Sequence, residues 1–464
     1  MNNKKKILYS ITANVMSTCV SATIALILPK VLTVESYSSF QYYLFWSGYL
    51  GFLHLGWIDG IYLVHCGEYY DRLDKEKLKG QLRLFAAFQL VLSVALIILF
   101  ISGISEIEYR DIFVSVSILL PITNLRLFFL YILQASARIR EYSDATILGL
   151  VCYMLGIVIC IIIGRRDYDS YIYVNIISNV VTLGSSLLFC RDIVTSKARK
   201  VMLSAIDAAE YIKVGHKILI ANFASSWIVG IVRVMVERRW DLATFGRVSL
   251  TLTISNMFMT LINAVALVIL PVLRRLDSSK LKELYSELNI LVTVSIFGLM
   301  CLYYPVQRIL SIWLPEYASS LAYMGMLFPI CLFEGKNALL LNTYMKAMRQ
   351  ENAIMWVNSL CVIFSALLSY MSINVYSDMT LTMFCIVVSI AVRCFAFELL
   401  IQNGTGINVY GDIAIEISVA SIFILANWCI GGLFGLALYL TAFCLLCLIK
   451  REEIENSIRS LILN

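Results

Sequence analysis

Six cations lie inside stretches that are otherwise apolar: Arg126, Arg233, Arg247, Arg308, Lys336 and Arg393. Four carboxylates, Asp59, Glu334, Glu398 and Glu416, lie in similar stretches. A guanidinium at mid-bilayer costs several kcal/mol unless it meets water or a partner, so such groups face a bundle interior and mark the path of a charged cargo. The chemistry they offer is recognition. Cations outnumber carboxylates, which suits an anionic cargo, and the carboxylates can pair with the cations or carry a titrating proton. Arg247 and Arg308 fall near the ends of their stretches, where a long side chain reaches the headgroups without any binding role. Arg126, Lys336 and Arg393 lie deeper and Arg233 about one turn in; these four are the expected cavity cations. Arg393 and Glu398 are five positions apart, poor spacing for a pair within one helix, while Glu334 and Lys336, two apart, face different sides.

Catalysis is not indicated. The chain has no soluble domain, no Walker-type glycine loop and no nucleophile constellation, so ATP hydrolysis within it does not drive transport. His54, His65 and His216 are too scattered for a metal site. Cys444 and Cys447 have CxxC spacing, but their helix is all apolar and offers no basic neighbour to activate a thiol. Most of the 13 cysteines fall within apolar stretches, where a thiol behaves as a small hydrophobic side chain. No disulfide, metal, cofactor or catalytic residue is expected, and the protein is read as a non-enzyme.

The elements that carry the charges are membrane helices. At about 1.5 Å rise per residue and about 30 Å of hydrocarbon, roughly 20 residues make one crossing. Twelve runs qualify, at roughly 7–28, 40–64, 84–104, 112–134, 144–164, 171–190, 216–237, 246–271, 289–311, 319–342, 353–373 and 380–402, and a hairpin over 412–449 would bring the total to fourteen. Composition agrees: 60% of residues are hydrophobic and only 15% charged, against roughly 25% in soluble domains. With the N-terminus in the cytoplasm, 25 of the 37 Lys and Arg fall in inner segments, 6 in outer loops and 6 within spans. Translocating cations is disfavoured during insertion, so both termini are expected inside. The first apolar run follows Lys4–Lys6 and continues without a small-x-small site, which reads as a retained anchor. The net charge of +6 therefore reports topology and does not suggest nucleic-acid binding.

An offset of 208 residues brings fragments into register: 35–40 with 243–248, Ile107-Glu108-Tyr109 with Pro315-Glu316-Tyr317, and Leu119-Leu120-Pro121-Ile122 with Leu327-Phe328-Pro329-Ile330. The offset equals six spans. Six is even, so the halves insert the same way round as parallel repeats, the arrangement of carriers that hold their substrate between lobes. The expected organisation is all-α: an N-terminal lobe over 1–190, a basic cytoplasmic linker over 191–215, a C-terminal lobe over 216–402, an extra hairpin over 412–449 and a cytoplasmic tail over 450–464. Two of only six prolines, Pro121 and Pro329, occupy equivalent places in spans 4 and 10, and paired interruptions of this kind point to a transport site or to packing kinks. Tyr42, Trp46 and Tyr49 recur on one face of span 2, where flat rings could stack on sugars or form an interfacial belt.

Further residues carry a family resemblance. They are Tyr37-Ser38 and Phe245-Gly246 after the first helix of each half, Leu55-Gly56 with Gly60, Pro271, and Ile312-Trp313-Leu314-Pro315-Glu316-Tyr317. The chain resembles the polysaccharide transporters of the multidrug/oligosaccharidyl-lipid/polysaccharide (MOP) exporter superfamily, in particular the O-antigen (Wzx-type) flippases, departing at Ser38, where glycine is usual. That resemblance implies a twelve- to fourteen-helix carrier in the bacterial inner membrane that flips an undecaprenyl-diphosphate-linked oligosaccharide to the periplasmic leaflet. It implies an O-antigen polymerase and a chain-length regulator as partners, alongside membrane lipids. On this reading Arg126, Lys336, Arg393 and Arg233 meet the diphosphate or acidic sugars, while Asp59, Glu334 and Glu398 titrate or pair. Alternatives are a lipid II or teichoic-acid flippase, a multidrug extruder, or a major-facilitator permease suggested by the fragment Gly67–Arg72.

Overall fold

A computed structural model describes residues 3–273, 281–348 and 350–463. Among them, every regular element is helical and twelve helices are long and apolar enough to cross a membrane. Two further apolar runs of the sequence lie outside that twelve: the 32-residue helix Leu242–Leu273 and an interrupted segment over 34–65. The hairpin is built from Tyr410–Ile430 and Gly432–Ile449, and it turns where Gly431 and Gly432 take positive φ (68° and 55°), which glycine adopts without a Cβ penalty. Of the inner cations read from sequence, Arg274, Arg275, Lys280 and Arg349 lie outside the described residues. The chain divides into two compact units, Met1–Phe223 and Ala224–Asn464. The 191–215 segment contains the short helix Arg191–Thr195 and the start of a continuous Val201–Arg239 helix, and it belongs to the first unit.

In the first unit the segment over 34–65 is broken. Thr33 caps its start, accepting the Ser36 N–H at 3.3 Å, and Ser38 is simply helical, its hydroxyl donating to the Val34 carbonyl at 2.7 Å. The helix Val34–Tyr49 then tightens into a 3-10 turn, Leu50–His54, passes through left-handed Leu55 (φ 57°) and Gly56 (φ 82°), and restarts as Trp57–His65. A break in apolar surroundings frees backbone carbonyls that need donors. Side-chain amides of two neighbouring helices supply them. Asn124 donates to the Leu50 carbonyl at 3.1 Å and Gln89 to that of Leu53 at 3.2 Å, and Asn124 also donates to Gln89 Oε1 at 2.8 Å. His54 Nδ1 accepts the Gly56 N–H at 3.0 Å.

The two glycines beside the break admit the Val201–Arg239 helix at backbone contact. A Cβ on Gly56 would stand 2.8 Å from the His216 nitrogen, and one on Gly60 would overlap the backbone of Tyr211. Below the break, Trp57 donates to Gln81 at 2.9 Å and Gln81 donates to the Ser204 carbonyl at 2.8 Å, beside a core of Phe85, Phe128 and Phe129. Pro121 leaves Ile107–Ala135 a single helix. The Ser117 carbonyl, deprived of its usual donor by the proline, accepts the Ser93 hydroxyl at 2.6 Å.

A small latch closes one end of this unit. Asp192 accepts the Tyr70 hydroxyl at 2.6 Å and pairs with Lys75 at 2.6 Å, and the Arg138 guanidinium lies 4.3 Å over the Tyr70 ring. Burial alone would raise the Asp192 carboxyl, but the donors Lys75 and Tyr70 outweigh it and hold the group below its ordinary range.

The second unit is built round its tenth segment, which is the more divided of the proline-bearing pair. It runs as Ala318–Leu321, Met324–Leu327 and Ile330–Lys336, with Pro329 at the head of the last piece, then through a π turn at Asn337–Leu341 into Asn342–Ala347. Its membrane-spanning window is 89% buried, against 67% for Ile107–Ala135 and 17% for Lys75–Gly103. The two proline-bearing segments are thus the two most enclosed of the described spans.

Two outcomes test this packing. Gly60→Ala should cost about 1–3 kcal/mol or more by overpacking, read as loss of monodisperse protein or a lower melting temperature, whereas Gly48→Ala, with nothing within 4 Å of its added Cβ, should stay within about 0.5 kcal/mol. Asp192→Asn should lower the melting temperature at neutral pH. Because the folded carboxyl titrates below its unfolded value, that contribution is present above the ordinary carboxylate range and fades as pH falls through the depressed value; a melting profile of the variant parallel to wild type across acid pH would refute the latch.

Candidate functional site

The charges of the second unit find one another across helices. Lys336, at the end of Ile330–Lys336, has a side chain with no exposure, 2.6 Å from Glu398 on Met379–Thr405 and in direct contact with Glu416 on Tyr410–Leu425. Glu334, two residues earlier and on another side, pairs with Arg393. The five-residue spacing of Arg393 and Glu398 is thereby explained: each serves a different partner on the tenth segment. Arg393 also donates to the Ser225 hydroxyl at 2.6 Å. Glu416 accepts from the Thr293 hydroxyl at 3.3 Å, and the Cys394 thiol lies 3.6 Å from Glu398.

Two expected cavity cations are therefore already neutralised. Lys336 does not stand in a wet vestibule in this conformation; it is enclosed because its helix is packed on nearly every side, and it is tolerable there because two carboxylates reach it. Cys394, Glu398 and Glu416 each offer one atom within 4.8 Å of the others, but the Lys336 ammonium fills the place a cation would take. Arg233 lies half-buried, donating to Ser249 at 2.7 Å with its guanidinium 4.9 Å over the Phe245 ring.

Arg126 differs from all of these. It sits in the most enclosed helix of the first unit, five residues beyond Pro121, half-buried, and among the described residues it has neither a hydrogen bond nor an ion pair. Asp59 is buried in the restarted helix Trp57–His65, 3.7 Å from His54 Nε2.

The aromatic face of the Val34–Tyr49 helix is mainly packing. Tyr42 is 4% exposed, edge-on to Trp46, Tyr109 and Phe113 at 5.6–6.1 Å between ring centres. No face of Tyr42 is free for a sugar, because Ile107–Ala135 covers it. Trp46 and Tyr49 are half-buried against Phe113 and Phe45. Sequence reasoning missed the donors Asn124, Gln89 and Gln81 and the partners Ser225 and Thr293. Amides inside apolar runs were the available signal for the first three.

Solved structures share this architecture. A structure of the lipid II flippase MurJ in an inward closed conformation matches with a TM-score of 0.67 and 12% identity, over 97% of this chain and 100% of that one. An inward-facing multidrug resistance MATE family transporter of the MOP superfamily matches with 0.61 and 13%, over 89% and 99%. A MOP superfamily transporter from Pyrococcus furiosus matches with 0.53 and 12%, over 88% and 96%. No family model and no curated protein matches the sequence. At these identities the likeness shows the fold alone: an all-α polytopic membrane-protein fold that these transporters and this flippase share.

The buried cluster predicts a pattern of rescue. Lys336→Met removes the counter-charge of the buried carboxyl pair and should destabilise by about 3–5 kcal/mol, seen as a loss of folded protein in detergent. Adding Glu398→Gln and Glu416→Gln to Lys336→Met should restore most of it. A single Lys336→Met variant as stable as wild type would sink the cluster as drawn.

Proposed function

We propose that the protein is a flippase for a lipid-linked oligosaccharide, moving an undecaprenyl-diphosphate-bound O-antigen repeat unit from the cytoplasmic to the periplasmic leaflet of the bacterial inner membrane by alternating access. Both termini lie in the cytoplasm on this reading, and an O-antigen polymerase and a chain-length regulator act downstream. The observation that carries it is Arg126: a guanidinium within a membrane helix with no carboxylate of its own among the described residues. Such a group is costly in apolar surroundings and becomes favourable when a ligand brings the missing negative charge. A diphosphate suits it, since a guanidinium presents a planar fork of donors that matches phosphate oxygens.

Arg233, held by Ser249 and stacked on Phe245, is the second cation proposed for the cargo, and half-buried Trp46 and Tyr49 remain the rings available to sugars. Lys336 and Arg393, paired with Glu398, Glu416 and Glu334, are reassigned from gripping the headgroup to holding the second unit together and handling charge. The full-length likeness to a lipid II flippase supports a lipid cargo and favours one second reading, in which the same site takes lipid II or a teichoic-acid precursor.

Loss of surface polysaccharide on deletion, with restoration by this gene alone, tests the function. In that background Arg126→Ala should abolish surface glycan and Arg126→Lys should retain part of it, since lysine keeps the charge but loses the bidentate fork. Full glycan in the Ala variant removes Arg126 from the mechanism. Rescue of lipid II flipping without effect on O-antigen would move the cargo to the second reading.

A further inference from the structure

Three ionisable groups meet out of contact with solvent where Ile330–Lys336, Met379–Thr405 and Tyr410–Leu425 pack together. Lys336 brings one positive charge, while Glu398 and Glu416, at 0% and 1% side-chain exposure, would bring two negative ones. The other groups around them do not supply the missing charge. From Leu281–Met300 come the uncharged Tyr285, Asn289 and Thr293, and Glu287 on that helix lies toward Tyr344. Cys394 adds a thiol. Arg393 is engaged by Glu334, and Lys450 by Asp412 and Glu453. An uncompensated charge in such a place costs several kcal/mol, and a buried carboxyl escapes that cost by taking up a proton.

The hydrogen bonding points the same way. Each carboxylate turns Oε1 toward Lys336, and each Oε2 is fully buried with no donor among the described residues. The Tyr285 hydroxyl and Asn289 Oδ1 are likewise buried and unpartnered. Two orphan acceptors beside one surplus negative charge are what a site built for an additional proton requires.

A route to that site runs along the hairpin. Asp412 is one turn from Glu416 on the same helix, 34% exposed, paired with Lys450 at 3.4 Å and accepting from Asn289 at 3.0 Å. Between Asp412 and Glu416 lies a small cleft lined by Asn289, Thr293, Leu446 and Lys450 among others, with room for about one water molecule. Asp412 lines the exposed end of that cleft and the Thr293–Glu416 hydrogen bond its buried end.

We propose that Glu398 and Glu416 share one bound proton beside Lys336, and that this proton exchanges with the side of the membrane bearing Lys450 by way of Asp412 and the cleft water. A carrier with such a site can draw on a proton gradient. The proposal deepens the transport reading by naming an ion it would use, yet the site's occupancy is measurable without any cargo.

Infrared difference spectroscopy on the full chain in lipid, at neutral pH and during transfer to deuterated buffer, reads a protonated carboxyl directly. Wild type should show that band. Glu416→Gln and Glu398→Gln should each lose it, because the remaining carboxylate is then matched by Lys336 and ionises. Asp412→Asn should keep the band but slow its deuteration. Absence of the band in wild type overturns the proposal even if a variant fails to fold, as does a band that survives both Gln substitutions. A sodium-dependent rise in melting temperature without the band would assign the site to a metal cation instead. A chain that shows the band yet restores no surface glycan would count against the flippase reading alone.

Discussion

An ammonium cannot remain inside a packed apolar helix bundle without a counter-charge, and the second unit is organised around meeting that demand for Lys336. Its segment is enclosed over 89% of the spanning window, so neither snorkelling nor water is available. Partners must come from other helices, and Glu398 and Glu416 bring two of them into contact with the same nitrogen. The local backbone serves this convergence. Pro329 ends one piece of helix at the head of the next, and the π turn beginning at Asn337 follows directly on Lys336, so the side chain sits where the helix is least regular. π turns of this kind recur at functional positions.

The first unit satisfies the same physics with neutral groups. Its broken segment exposes carbonyls, and amides from Asn124 and Gln89 take them, while Gly56 and Gly60 let the Val201–Arg239 helix come close. The one deep cation of its most enclosed helix, Arg126, is left uncompensated. Each of the two proline-bearing helices thus carries a cation beyond its proline, but Lys336 is met by carboxylates and Arg126, among the described residues, is not. This asymmetry is the reason for placing the proposed cargo contact on Arg126 and the proposed proton on the second unit.

The spans were legible in sequence because a crossing needs about 20 apolar residues, and runs of that length are hard to disguise. The pairings were not, since Lys336 and Glu416 are 80 residues apart and a single sequence carries no signal of which helices touch. The break at Leu55-Gly56 was hidden because the apolar run continues through it; only the rare left-handed geometry and the donors from two other helices reveal why it is tolerated. Tyr42, Trp46 and Tyr49 show the limit of periodicity. The spacing correctly puts them on one face, but whether that face meets sugar, lipid or another helix depends on what packs there, and for Tyr42 it is Ile107–Ala135.

The hairpin has a larger part than its place after the twelfth span suggests. Without it, Lys336 and Glu398 would form a neutral buried pair, and the core would be electrically complete. Glu416 adds the surplus negative charge, and the same hairpin brings Asp412 and Lys450 to the mouth of the cleft leading to it. A carboxylate on an appended membrane helix gains nothing in stability over an apolar residue of the same size, because a buried ion pair rarely repays its own desolvation. The hairpin therefore carries a charge that its packing does not need, at a depth where that charge is expensive, together with a polar entrance. Such an arrangement is accounted for by ion handling and not by anchoring.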